Sequence, residues 1–175
     1  MSSNIPAVAF SAWSGTGKTT IIECLVRRFK QMGIRTAVIK HDAHDFEIDR
    51  KGKDSWRFSE AGADMVILSS EMKTVIMEQR HLELEELMSA VHDVDIILVE
   101  GYNDHILPRI GISRAATGKG FRLPVSEYAA VITDEETAPD SSEEVSIARH
   151  SVPVFALDDI DGIAEFIRAR FIKTK

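Results

Sequence analysis

The chain opens on a short apolar run, Ala7-Val8-Ala9-Phe10, and becomes amphipathic from about residue 17 to Met32. Ile21, Leu25, Phe29 and Met32 fall on one stripe with Ile22 and Val26 beside it, which predicts a strand followed by a helix with one core face. Gly33 suits a left-handed helix stop. Ile34–Lys40, centred on Ala37-Val38-Ile39, predicts a second buried strand, and strand–helix–strand reads as a βαβ unit with parallel strands. A short helix follows, with Asp54 as its N-cap and Gly62 near its end. Met65–Leu68 and Thr74–Met77, linked by a short polar turn, predict an antiparallel hairpin.

Leu84, Leu87, Met88 and Val91 repeat at helical spacing, with Glu83, Glu85 and Glu86 as the solvated face. Asp95–Gly101 reads as a buried strand that ends in a carboxylate. Arg109–Ser113, Tyr128–Thr133 and Val152–Leu157 read as further strands, the last carrying Pro153 near its start or at a sheet edge. Ile160, Ile163, Ala164, Ile167 and Phe171 make one closing helical stripe, with Asp158 and Asp159 at its start. The expected architecture is a single α/β domain over residues 1–175, three layers with a mostly parallel central sheet and an antiparallel hairpin.

Ala12-Trp13-Ser14-Gly15-Thr16-Gly17-Lys18-Thr19-Thr20 joins the first strand to the first helix, the context of a phosphate-binding P-loop. Gly15 and Gly17 let the backbone aim its N–H groups inward with no Cβ in the way. Lys18 can reach the β- and γ-phosphates, and the Thr19 hydroxyl can ligate Mg²⁺. Ser14, Thr16 and Thr20 complete the candidate nucleotide-binding set. Ala12 replaces the first glycine of the pattern, so ordinary backbone angles are expected there.

Two further stretches belong at the same edge of a parallel sheet, where ligands collect. The strand 96–99 delivers Glu100 there as a Walker B strand delivers its acid, while Asp95 lies at the opposite end. Residues 41–53 follow the second strand and hold Asp42, Asp45 and Asp49, any of which could face Mg²⁺ or position a water. His41 and His44 lie at i, i+3, but nothing in a zinc-type pattern surrounds them.

Length and charge narrow the classes. The 175 residues are 44% hydrophobic and 28% charged, ordinary for a soluble domain, and the formal net charge of −7 argues against nucleic-acid or anionic-membrane partners. Cys24 is the single cysteine, so no internal disulfide forms, and no signal-like or membrane-spanning apolar run is present; a cytoplasmic protein is expected. Against that charge, residues 105–126 contain no acid but carry Arg109, Arg114, Lys119 and Arg122. This basic island reads as a solvated loop or as a second phosphate or partner site centred on Arg109 and Arg114.

Three pieces go beyond a generic NTPase: residues 12–20; Ile39–Ser55 followed by Glu60-Ala61-Gly62-Ala63; and Ile97-Leu98-Val99-Glu100-Gly101. Together they resemble the molybdopterin-guanine dinucleotide biosynthesis adaptor proteins, the MobB family, over nearly the whole chain. The resemblance implies a GTP-binding, weakly GTP-hydrolysing homodimer that assists the guanylyltransferase joining GMP to molybdopterin. It implies Gly15–Thr20 on the phosphates, Asp45 and Glu100 near Mg²⁺ with Lys18 as catalytic groups, and Arg114 in the basic segment. Asp42 stands where the family more often has a hydroxyl residue, so which aspartate faces the metal stays open. Guanine itself is not legible, since no Asn-Lys-x-Asp motif occurs and Thr133-Asp134 is only a candidate replacement. An ATP-dependent small-molecule kinase or ligase would use the same Lys18, Thr19 and Glu100, and a metal-delivery GTPase would recruit His41 and His44.

Overall fold

In chain order the elements are β1 (Ala7–Ala12), α1 (Lys18–Gln31), β2 (Thr36–Lys40), α2 (Asp54–Glu60), β3 (Met65–Ser69), β4 (Thr74–Glu78), α3 (Leu84–Ala90), β5 (Ile96–Glu100), β6 (Arg109–Ile112), β7 (Ala130–Ile132), β8 (Val154–Phe155) and α4 (Ile160–Phe171). They come from a computed structural model that describes residues 5–41, 46, 48–102, 107–134 and 152–172. The chain divides into two compact units, residues 1–41 with 88–175, and residues 42–87.

The larger unit holds a six-stranded sheet in the order β2-β5-β1-β6-β7-β8, every pairing parallel. Strands β1 and β2 are therefore not neighbours: β5 lies between them, pairing Ile97 with Ala7 on one side and with Ala37 on the other. This corrects the expectation of a buried second strand. Strand β2 is an edge, with Val38 47% exposed and only Ile39 buried, whereas all five residues of β5 are buried. Ile96-Ile97-Leu98-Val99 is apolar on both faces and suits a place inside the sheet, though not one position in it over another. Pro153 lies just before β8 at the opposite edge, where its carbonyl accepts from Val131 N–H and its missing N–H costs no ladder bond.

Residues two apart along the strands share a face. Val8, Phe10 and Ala12, Ile96 and Leu98, Ile110 and Ile112, and Ala130 and Ile132 form one apolar surface. Helices α1 and α4 cover it with Ile21, Ile22, Leu25 and Phe29 and with Ile163, Ala164 and Ile167. Burying a side chain of the Leu25 or Phe29 kind contributes roughly 1.5–3 kcal/mol. Asp159 caps α4 by accepting from Gly162 N–H at 2.9 Å.

Over β6 and β7 the opposite face is covered by the 121–128 segment. Tyr128 and Val125 pack on Val131, with Phe121 and Leu123 against them. Gly111 makes this possible, because a Cβ there would lie 2.8 Å from the Tyr128 ring. The Tyr128 hydroxyl accepts from Leu123 N–H at 3.0 Å and reaches Ser11 Oγ at 3.5 Å. One ring thus ties the segment to both β6 and β1.

In the smaller unit β3 and β4 form the antiparallel hairpin, with Ile67 opposite Ile76 and Ser69 opposite Thr74. Ser70 closes its turn, its hydroxyl accepting from Lys73 N–H at 3.1 Å. Helix α2 starts one residue earlier than its acid suggests: Lys53 is the N-cap, and Asp54 sits inside the first turn. Lys53 has the extended backbone of a cap, and Asp54 serves the helix dipole instead.

Candidate nucleotide-binding site

Strand β1 and helix α1 are joined by residues 13–17, and the loop has the backbone its glycines allow. Gly15 and Gly17 hold φ of 84° and 87°, in the left-handed region that L side chains rarely adopt. Ala12 has no positive φ and ends β1 as an ordinary strand residue. The Thr16 hydroxyl donates to the Trp13 carbonyl at 2.9 Å and is itself buried, bracing the loop from inside. Gly17 caps α1 without a side-chain hydrogen bond, and no acid occupies the first turn. The leading N–H groups of α1 and its positive dipole end therefore face the loop, the arrangement that suits an anion.

Strand β5 brings the acid. Phe10 and Glu100 are register partners, so Glu100 stands beside the end of β1. Thr19 Oγ1 donates to Glu100 Oε1 at 3.1 Å, and Lys18 Nζ lies 3.6 Å from the same oxygen. Glu100 is buried, and its backbone carbonyl accepts from His41 N–H at 2.8 Å. Gly101 turns the chain away with φ of 99°, and a Cβ there would come within 2.7 Å of the His41 carbonyl. Lys18, Thr19 and Glu100 are thus brought together as a cation, a hydroxyl and a carboxylate at one point. A hydroxyl and a carboxylate are hard oxygen donors of the kind Mg²⁺ takes, and an ammonium beside them suits a phosphate oxygen.

Asp95 lies at the other end of β5, accepting from Arg35 N–H at 2.7 Å, and takes no part. Asp42, His44 and Asp45 lie outside the described residues. His41 lies against Tyr102, ring centroids 4.8 Å apart.

The basic island divides. Arg109 begins β6 opposite Ala9, so about 13 Å of strand rise separates it from Ser113, at the end of the sheet where the 13–17 loop lies. Arg114 is beyond β6, where its guanidinium Nη1 lies 3.7 Å from the place a Cβ on Gly17 would occupy. Asp134 fixes this position twice. One oxygen accepts from Ala115 N–H at 2.7 Å and the other is 3.7 Å from Arg114 Nε.

Residues 114–119 form a small flap, closed by an antiparallel bridge between Arg114 and Lys119 with Gly118 in the left-handed region. The flap and the residues after it set Lys119 Nζ 5.8 Å and Arg122 Cζ 4.9 Å from the Trp13 ring centroid. These contacts span about a hundred residues of sequence. Periodicity carries no signal for them; the sign of the segment's charge is the only hint.

The family described as "Molybdopterin guanine dinucleotide synthesis protein B" matches residues 7–134. The chain belongs to this MobB family. Its family-level role lies in molybdopterin-guanine dinucleotide biosynthesis. The chain is 32% identical over 170 residues to the molybdopterin-guanine dinucleotide biosynthesis adapter protein of Escherichia coli, covering 93% of this chain and 91% of that one. It is 35% identical over 137 residues to the Haemophilus influenzae protein of the same name, 75% of this chain and 76% of that one. In three dimensions it resembles the crystal structure of Bacillus subtilis MobB with a TM-score of 0.71, at 22% identity, over 98% of this chain and 100% of the other. That likeness concerns the fold.

Proposed function

We propose that this MobB-family chain is an accessory protein that binds GTP with Mg²⁺, hydrolyses it slowly, and assists the guanylyltransferase that attaches GMP to molybdopterin. The convergence of Lys18 and Thr19 on Glu100 at the head of α1 carries the nucleotide half of this reading. Backbone N–H groups of residues 15–20 would hold the phosphates, with Ser14 at the loop entrance. Thr19 and Glu100 would hold Mg²⁺, which neutralises phosphate charge and orients the leaving group when bound. Arg114 beside Gly17 would add a cation to the same phosphates. Family membership carries the pathway half. The reading also includes a homodimer in the cytoplasm. In support of association, the hairpin exposes Met65, Ile67 and Ile76 on one face, each at least 48% accessible.

Calorimetric titration with GTP and ATP, each with and without Mg²⁺, tests the proposal. Mg²⁺-enhanced GTP binding with slow turnover is the expected result, together with stimulation of the guanylyltransferase. Rapid turnover of ATP dependent on a small-molecule acceptor would instead favour a kinase or ligase on the same scaffold.

A further inference from the structure

Strand β2 is an edge of the six-stranded sheet, so strand pairing holds it only from the β5 side. Its last residue, Lys40, pairs in register with Glu100, and the next N–H, that of His41, donates to the Glu100 carbonyl at 2.8 Å. The end of such a strand is where a sheet opens most readily. Here two contacts beyond the ladder hold it. Gly101, at φ of 99°, comes so close to His41 that a Cβ would lie 2.7 Å from its carbonyl oxygen and 3.2 Å from its Cβ. Neither atom can give way as the tip of a flexible side chain does. Tyr102 then closes on the His41 ring, centroids 4.8 Å apart and planes tilted by 41°. The three residues fasten β2 to β5 directly beside the acid that receives Thr19 and Lys18.

We propose that His41, Gly101 and Tyr102 are positioning residues for Glu100, and that they set how strongly a divalent cation and GTP support one another's binding. The inference rests on the function proposed above for one point, that Glu100 and Thr19 hold Mg²⁺. Glu100 is the last residue of β5, with Phe10 beside it on β1 and the His41 N–H on its carbonyl from β2. A metal ligand needs its place set to about 0.5 Å, and the groups behind it matter nearly as much as the ligand itself. Releasing the β2 side would leave β1 alone to hold the backbone of Glu100, and its carboxylate would lose that precision. The P-loop backbone is braced separately, by Thr16 and the conformations of Gly15 and Gly17. Nucleotide binding without metal therefore does not depend on the clamp. His41 acts in it through its backbone and the face of its ring, not through its ring nitrogens.

Calorimetric titration with a non-hydrolysable GTP analogue, in EDTA and in excess Mg²⁺, reads the factor by which the cation strengthens nucleotide binding, with no turnover involved. Tyr102→Ala and His41→Ala should lower affinity in Mg²⁺ about tenfold or more, as loss of a group behind a metal ligand does. Affinity in EDTA should change by less than about threefold. Gly101→Ala should act in the same direction, with thermal melting to show that it folds; the two ring variants leave the backbone unstrained and decide the matter if it does not. Tyr102→Phe and His41→Phe each keep two rings in contact and should stay within about threefold of the wild type in both titrations. His41→Phe has no ring nitrogen, so a loss equal to that of His41→Ala overturns the positioning role in favour of a direct role for the imidazole. Equal losses in EDTA and in Mg²⁺ overturn it by showing a merely structural contact, and wild-type values in both ring-deleting variants overturn it by showing that Glu100 needs no clamp. A wild type whose affinity is the same in EDTA and in Mg²⁺ overturns instead the assignment of Mg²⁺ to Glu100.

Discussion

Thr19 Oγ1 donates a hydrogen bond to Glu100 Oε1 at 3.1 Å, joining the first turn of α1 to the end of β5 across 81 residues of sequence. The parallel register that sets Phe10 beside Glu100 makes this meeting possible. Lys18 Nζ lies 3.6 Å from the same carboxylate oxygen, so one acid holds the first two side chains of α1.

Substituting Glu100 with Gln separates the roles of that acid. The amide keeps the shape and still accepts from Thr19, but it no longer attracts Lys18 or a divalent cation. We expect Mg²⁺-dependent GTP hydrolysis to fall about tenfold or more, within the range of losses when one electrostatic group is removed. Metal-free GTP binding should be preserved. Turnover assays at varied Mg²⁺ decide the matter; equal hydrolysis by the variant and the wild type removes Glu100 from the metal site.

Lys18→Ala addresses the phosphates directly. Its ammonium lies at the sheet edge beside Glu100 and adds nothing to the apolar cluster, so the fold should survive. Loss of a charge-assisted contact to phosphate should weaken GTP binding by roughly 1.5–3 kcal/mol. Calorimetry showing wild-type affinity in this variant would falsify the P-loop reading.

What was legible in the sequence was local. The run Gly15-Thr16-Gly17-Lys18-Thr19 between a strand and an amphipathic helix carries its own backbone demands, and the observed φ values at the two glycines meet them. Glu100 was legible because four apolar residues before it require a buried strand. The position of β5 between β1 and β2 was not, since a chain that reads strand–helix–strand does not say whether a later strand inserts itself. The cluster on Trp13 was hidden for the same reason. It depends on β6 lying next to β1, and on a turn set by Gly118 and the Arg114–Lys119 bridge. Helix α2 illustrates a smaller ambiguity, because an acid can cap a helix or sit in its first turn with equal local logic.

Gly111 is where the fold and the basic flap meet. Its missing side chain admits the Tyr128 ring, and Tyr128 in turn holds Leu123, the neighbour of Arg122. Gly111→Ala forces a methyl against that ring and should destabilise the protein by about 1–3 kcal/mol, as overpacking of a tight core does. Tyr128→Phe keeps the ring but leaves Leu123 N–H without its acceptor, for a cost of about 1–3 kcal/mol. Denaturant unfolding of both variants checks this. Wild-type stability in Gly111→Ala would mean that the ring moves aside freely and does not pin the segment.

Arg114 and Asp134 make the last prediction. The guanidinium of Arg114 stands beside Gly17, and Asp134 holds both its Nε and the Ala115 N–H behind it. An arginine so placed acts best on charge that grows as a phosphate bond breaks, because its position is set before the reaction starts. Arg114→Ala should therefore lower GTP hydrolysis about tenfold or more while changing GTP affinity less, the pattern of an interaction stronger in the transition state than in the ground state. Asp134→Asn keeps an acceptor for Ala115 but loses the charge that orients Arg114, so its hydrolysis should fall between wild type and Arg114→Ala. In the double variant the second substitution should add little, because Asp134 works through the arginine. Single-turnover rates beside calorimetric affinities separate the two effects. If Arg114→Ala loses affinity and rate in equal measure, the arginine only binds; if Asp134→Asn is harmful even without Arg114, the aspartate has a role of its own.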